Sequence, residues 1–270
     1  MNPQPSLSVP PSGFDPAFTL NVMIPLAEAA YAVMQNPGAN PPLPAGFQQT
    51  AVLQADETQR ATLLGQPSSP KARVVAVLLR DSGVFGLIGN NPASKTAFVS
   101  FRGTQSPGEW LEDFDALFEP YEFVRGGGSA HQGFQSVCAA LRDSVRAGLA
   151  KAVVGCNRLL VTGHSLGAAL AVIAAADIAK NLAPGFTPEV ITFAGPASGL
   201  PDFAHFFDSL IPSCYRVVNQ WDIVPRVPLQ IPFGFFQHAG TEKRIDGGFA
   251  DVKNAHSLSQ SYVPGLRKLL

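Results

Sequence analysis

The sequence is short of charge. Lys, Arg, Asp and Glu make up 14% of its 270 residues, against about 25% in an ordinary globular chain. The formal net charge is −1 and no run of Lys or Arg forms a basic stripe, so neither nucleic acid nor an anionic membrane surface is expected as a partner on electrostatic grounds. Cysteine is scarce too. Cys138, Cys156 and Cys214 are odd in number and widely spaced, with no CxxC pair, which excludes a disulfide framework and points to buried free thiols. No uninterrupted apolar run reaches the ~18 residues of a membrane-spanning helix. The N-terminal MNPQPSLSVPPSGFDPAF lacks the cationic start and apolar centre of a signal peptide. The expectation is a cytoplasmic protein, or one secreted without a recognisable signal peptide. There is no internal repeat and no linker that would divide the chain.

Apolar residues are plentiful, at 46%, enough for a full core. The low charge suits either a protein that meets apolar material or one with a large buried interior. The length fits one large α/β domain spanning residues 1–270, with 1–13, rich in Pro and Ser, as a loose N-terminal segment. Apolar residues recur at helical spacing from Ala17 to Met34 despite Pro25, and the Pro- and Gly-rich stretch 36–46 reads as a loop. Arg73–Leu79 reads as a strand turning at 81–83 into a partner at Val84–Gly89. Thr96–Phe101, Arg158–Thr162, Val190–Phe193 and Tyr215–Val218 read as further strands. Gly133–Ala150 and the Ala-rich Ser165–Asn181 read as helices, and Leu258–Leu270 as a last helix broken near Pro264. Strands alternating with helices predict a mostly parallel central sheet with helices on both faces.

The sharpest motif is Gly163-His164-Ser165-Leu166-Gly167. It has the form G-x-S-x-G and lies between a predicted strand and a predicted helix. A serine nucleophile on such a turn needs small neighbours, and Gly163 and Gly167 supply them. The turn also aims the start of the next helix, with the Leu166 N–H, at a developing oxyanion. A serine hydroxyl needs a histidine to take its proton and a carboxylate to hold that histidine. In α/β-hydrolases these follow in the order Ser, acid, His. Asp222, in a loop just past the predicted strand YRVVN, is the best-placed acid, with Asp202 and Asp208 less well placed. That leaves His238 or His256 as base. His238 stands at the start of a strand-like stretch, His256 at the mouth of the last helix.

From about Ala27 to Tyr262, several separate motifs together resemble the fungal-type (class 3) triacylglycerol lipases. They are AYA at 30–32, SFRGT at 100–104, Trp110-x-x-Asp113, AHQGF at 130–134, GHSLGAALA at 163–171, TFAGPASG at 192–199, VVNQWDIVPRVP at 217–228 and HAGTE at 238–242. The resemblance implies an α/β-hydrolase fold and a Ser165–His256–Asp222 triad, since the histidine of the HAGTE segment is not catalytic in that family. It makes Thr104 the second oxyanion residue beside Leu166, with Asp113 orienting Thr104. It places a lid over 106–119, where Trp110, Leu111 and Phe114 would meet substrate. The implied activity is hydrolysis of carboxylic esters at a lipid–water interface, through an acyl-enzyme and with no cofactor or metal. A phospholipase, a feruloyl esterase or a non-catalytic lipase-like binding protein would share the scaffold. Two departures stand out. Ala197-Ser198 replaces the family's Arg-Val after Gly195-Pro196, and the Asp222-to-His256 segment is short. The family's disulfides have no counterpart. Phe233, Phe235 and Phe236 would wall an acyl site or fill the core.

Overall fold

The computed structural model of the protein describes residues 13–38, 40–55, 57–58, 61, 83–104, 117–227, 236–249 and 251–270. Seven strands form one twisted sheet in the order β1 (Gln48–Gln54), β2 (Val84–Asn91), β3 (Thr96–Phe101), β6 (Arg158–His164), β7 (Glu189–Phe193), β8 (Cys214–Asn219) and β9 (Thr241–Ile245). β1, β2 and β3 pair antiparallel; from β3 to β9 every pairing is parallel. Two short strands, β4 (Phe118–Pro120) and β5 (Ser129–His131), make a separate ribbon.

The inner strands β2, β3, β6 and β7 are buried almost throughout because both faces of the sheet are covered there. Their period of two divides the side chains between two cores. On one face Ala97, Val99, Phe101, Leu159, Val161 and Val190 pack under the crossover helices Gln132–Ala152, Leu166–Asp177 and Pro201–Leu210. On the other, Phe98, Leu160, Ile191, Phe193 and Val217 pack under the N-terminal helix and the C-terminal turns. Leu166–Asp177 is buried at every position, which explains its Ala-rich, non-amphipathic composition. Parallel pairing brings the ends of β3, β6, β7 and β8 to one edge of the sheet. Ligand sites of open α/β sheets form at that edge.

The N-terminal helix runs from Pro16 to Gln35. Pro25 does not break it. One π turn, Thr19–Met23, precedes the proline, and Ile24 N–H donates to Thr19 O. The wider turn accommodates a residue that has no N–H and whose ring crowds the carbonyl four residues back. The same device recurs at Pro264, where a π turn at Leu258–Tyr262 leads into Val263–Arg267. The expected break there is therefore a widened turn. By length and composition the N-terminal helix would cross a membrane, but Met23, Leu26, Ala27, Ala29, Ala30 and Val33 are fully buried against the sheet, so its apolarity is accounted for by packing.

The expected strand 73–79 lies outside the described residues. Both edges of β2 are taken by β1 and β3, so the hairpin of 73–79 with 84–89 is corrected. β1 went unread because Gln48–Gln54 is half-exposed and polar, and a one-residue bulge disturbs its alternation. The three cysteines are free, Cys138 and Cys214 in the core and Cys156 half-buried. Burial pushes the Cys214 thiol up to about 12.

Leu160, 1% exposed at the centre of the sheet, tests the core. Leu160→Ala is expected to lower the unfolding free energy by about 3 kcal/mol in urea titration. Val154→Ala, at a side chain 74% exposed, should stay within about 0.5 kcal/mol of the parent.

Candidate active site

β6 ends at His164, and the helix Leu166–Asp177 begins after a single intervening residue. Ser165 makes the whole turn, at φ 60° and ψ −130°. A non-glycine residue holds that conformation only when its surroundings impose it. Here the Ser165 N–H donates to Phe193 O of β7 at 2.9 Å, and Ala168 N–H donates to Ser165 O at 3.0 Å. There is no space for side chains on either side. A Cβ on Gly163 would lie 2.1 Å from Gly167 O, and one on Gly167 would lie 2.3 Å from Phe101 O. The turn buries Ser165 completely, and the first N–H groups of the helix, Leu166 among them, have no partner within the helix.

β3 ends beside it. Gly103 packs directly on the elbow, since a Cβ there would lie 2.8 Å from His164 O and 2.9 Å from Ser165 Cβ. Arg102 holds this loop from within the core. It is fully buried, donates from Nε to Val84 O at 2.7 Å and from Nη1 to Gly103 O at 2.8 Å, and its guanidinium lies 4.7 Å from the centre of the Phe85 ring. Thr104 follows, 5% exposed. Its Oγ1 is buried with no hydrogen-bond partner among the described residues.

Asp222 sits in the turn after β8, 1% exposed. Its Oδ1 accepts from Val224 N–H at 3.0 Å. Oδ2 accepts from His256 Nδ1 at 2.8 Å and from the Tyr262 hydroxyl at 2.7 Å. Nδ1–H is thus committed to the carboxylate, which leaves His256 Nε2 as the free acceptor. That nitrogen and Ser165 Oγ are both buried without a partner among the described residues. Burial, and then the Asp222 charge, push the Tyr262 hydroxyl well above its ordinary range, so it stays a donor. Asn219, fully buried at the end of β8, ties the two loops together. Its Nδ2 donates to Ala255 O at 2.9 Å, and its Oδ1 accepts from Gly247 N–H at 3.1 Å.

His164 lies behind His256. Its Nε2 donates to His256 O at 2.9 Å, and its Nδ1 accepts from the Tyr31 hydroxyl at 2.8 Å. Desolvation, followed by repulsion from His256, pushes its pKa well below the ordinary histidine value. It therefore stays neutral and holds the His256 backbone.

The structure brings Thr104, Ser165, Leu166, Asp222 and His256 to one edge of the sheet. Trp110, Leu111, Asp113 and Phe114 lie outside the described residues, as do Phe233 and Phe235. Phe236 is described and packs on Phe118 at 4.8 Å between ring centres. The rival carboxylates are engaged elsewhere. Asp202 accepts from Ser129 N–H, Ser129 Oγ and Phe203 N–H at the start of a helix; Asp208 accepts from Gly240 N–H. His238 pairs with Pro225 O at 2.8 Å, and His205 is exposed on a helix. Sequence reasoning gave no role to Tyr31, Arg102, Asn219 or Tyr262. The signal available for Arg102 and Asn219 was a polar residue at the end of an apolar strand, which reads equally well as the start of a loop.

A cleft of about 550 Å³ opens over this edge. Thr104, His164 and His256 line it together with Glu28 and Gln35 of the N-terminal helix and Lys253.

The pattern of the family described as Lipase (class 3) matches residues 98–231, from β3 to beyond the Asp222 turn. The chain belongs to the class 3 lipase family. The secreted mono- and diacylglycerol lipase 1 of Fusarium solani is 34% identical over 182 residues, covering 66% of this chain and 52% of that protein. The chain spans about half the length of the curated relatives it matches. Lipase II from Rhizopus niveus superposes with a TM-score of 0.53 at 28% identity, over 73% of this chain and 84% of that one. A triacylglycerol lipase described as having a serine protease triad at its catalytic centre superposes with a TM-score of 0.65 over 92% of both chains. At 23% identity it shows that the class 3 lipase fold is shared.

His238 offers a pH test of the packing beneath the site. Desolvation, then the Arg216 charge, lowers its pKa to about 4, against the hydrogen bond to Pro225 O. Below about pH 6.5 the unfolded chain takes up a proton that the folded state refuses until about pH 4, so stability is lost as pH falls through that window. Between pH 7 and 4.5, His238→Gln is expected to lose about 1–2 kcal/mol less unfolding free energy than the parent, measured in urea. His164 titrates in both proteins alike and drops out of the difference.

Proposed function

We propose that this class 3 lipase is a carboxylester hydrolase of lipid esters, folded as one domain over residues 1–270. In this reading Ser165 is the nucleophile, His256 the general base and Asp222 its orienting acid. One observation carries it. Three buried polar atoms at a single sheet edge, Ser165 Oγ, His256 Nε2 and Thr104 Oγ1, lack partners among the described residues, while the other hydrogen-bonding atoms of His256 and Asp222 are engaged. Buried polar atoms are otherwise nearly always satisfied. Three together support the reading that an ester reacts at this edge.

His256 Nε2 takes the Ser165 proton as the hydroxyl attacks the ester carbonyl. Asp222 stabilises the imidazolium. The N–H groups of Thr104 and Leu166, with the Thr104 hydroxyl, hold the oxyanion. His256 then protonates the departing alcohol, and water repeats the sequence on the acyl-enzyme. The family resemblance adds Asp113 as the residue that orients Thr104, and Trp110, Leu111 and Phe114 as part of a lid that contacts lipid. A lipid–water interface is the proposed partner. The chemistry needs no metal or organic cofactor.

Hydrolysis of p-nitrophenyl esters from acetate to palmitate tests the reading. Ser165→Ala should lower kcat by about 10⁴-fold or more, and Asp222→Asn by about 10⁴-fold through loss of the histidine tautomer. Thr104→Val, which removes only the hydroxyl, should lower kcat by about 10²-fold. Parent activity retained in Ser165→Ala would overturn the assignment. A folded parent that neither turns over these esters nor is labelled at Ser165 by an active-site phosphonate would point to a lipase-like binding protein.

A further inference from the structure

The base proposed for the reaction is carried by a segment with little structure of its own. His256 follows the four-residue helix Val252–Ala255, and isolated helices shorter than about 12 residues are marginal in water. Phe249, Asp251, Val252 and Lys253, on the approach to it, are exposed. One turn of helix at the surface does not hold an imidazole to the tolerance that proton transfer needs. The position of His256 has to come from buried contacts.

Those contacts lie at the two peptide planes that bracket His256. The plane after it is held by His164 Nε2, which donates to His256 O at 2.9 Å. The plane before it is held by Asn219 Nδ2, which donates to Ala255 O at 2.9 Å. Asn219 is fully buried at the end of β8. A second contact fixes which way its amide faces, since Oδ1 accepts from Gly247 N–H at 3.1 Å. Gly247 in turn is packed so closely on the C-terminal turn that a Cβ there would lie 2.2 Å from Ser261 O. A longer contact from Nδ2 to Gly248 O, at 3.4 Å, completes the set. The backbone of the same residue reaches the acid, for Asn219 O accepts from Asp222 N–H at 3.0 Å. Asn219 therefore holds Asp222 by its main chain and the peptide of His256 by its side chain. Between them lies the 2.8 Å contact of Asp222 Oδ2 with His256 Nδ1.

We propose that Asn219 is a positioning residue of the reaction, which sets the spacing of Asp222 and His256 and so the direction in which Nε2 is presented. The proposal rests on the hydrolase reading above. Asn219 is buried and is not among the residues that line the cleft, so it acts through His256 and not on substrate. Without the Nδ2 donor the Ala255–His256 peptide is free to rotate and the Nδ1 contact to Asp222 loosens. Proton transfer at Nε2 then suffers while ester binding does not. The step hit hardest is the one in which His256 gives its proton to a poor leaving group. An alkoxide has to take that proton as the acyl carbon–oxygen bond breaks, whereas a nitrophenolate leaves without it.

The test uses the full chain and two soluble esters of one acid, p-nitrophenyl hexanoate and ethyl hexanoate, with the released acid titrated. Asn219→Ala should lower kcat by about 10-fold on the nitrophenyl ester and about 100-fold on the ethyl ester, with KM within about twofold of the parent. Asn219→Asp has the same shape, keeps the acceptor for Gly247 N–H and loses the donor to Ala255 O. It should show the same skew toward the ethyl ester, and it carries the test if Asn219→Ala does not fold. Leu160→Ala, a core change in mid-sheet, is the control for lowered stability and should keep the parent's ratio between the two esters. If folded Asn219 variants keep that ratio, if their loss falls on KM, or if Leu160→Ala shows the same skew, the positioning role is overturned and the hydrolase reading stands. Failure of both Asn219 variants to fold overturns it as well, because the residue then serves the fold alone. If a folded parent cleaves neither ester, the hydrolase reading fails and the positioning role falls with it.

Discussion

The backbone of Ser165 is held in a conformation that it would not adopt alone, and the surrounding packing is organised around holding it. At φ 60° and ψ −130°, the residue is kept in place by its N–H on β7 and by two glycines with no room for a methyl group. The same closeness extends to β3. Gly103 lies against His164 and Ser165, and Gly167 lies against Phe101 and Arg102. The end of β3, the end of β6 and the first turn of the next helix therefore form one rigid block. The strain of the turn, of order 1–3 kcal/mol, is offset by two fully covered sheet faces.

The second dependency is electrostatic. Asp222 is buried, and a buried carboxylate persists only with its oxygens satisfied. Val224 N–H, the Tyr262 hydroxyl and His256 Nδ1–H do this from three segments distant in sequence. His164 and Tyr31 then fix the His256 backbone from the opposite side. The histidine proposed as base is clamped by its ring through Asp222 and by its carbonyl through His164, and only Nε2 remains free to act.

The N-terminal helix serves both the core and the site. Its apolar face closes one side of the sheet, its Tyr31 reaches His164, and Glu28 and Gln35 look onto the cleft. A helix whose composition alone would suit a membrane is here a wall of the proposed substrate site. Its π turn ahead of Pro25 preserves that continuity.

The order of strands and helices, the elbow at Ser165 and the choice of Asp222 were legible in the sequence, because each depends on local pattern: apolar periodicity, glycine spacing and position after a strand. By itself the sequence determined a mostly parallel sheet with Ser165 on a strand-to-helix turn. It left His238 and His256 both open until a resemblance separated them. Only the tertiary structure decided that His256 meets Asp222 while His238 is spent on Pro225 O. The same is true of the roles of Tyr262, Asn219, Arg102 and Tyr31, and of the gathering of residues from the N-terminal helix and from around His256 about one cleft. The reason is physical. Each of these is a contact between segments far apart along the chain, and hydrogen-bond partners chosen by proximity in space leave no periodic trace in sequence.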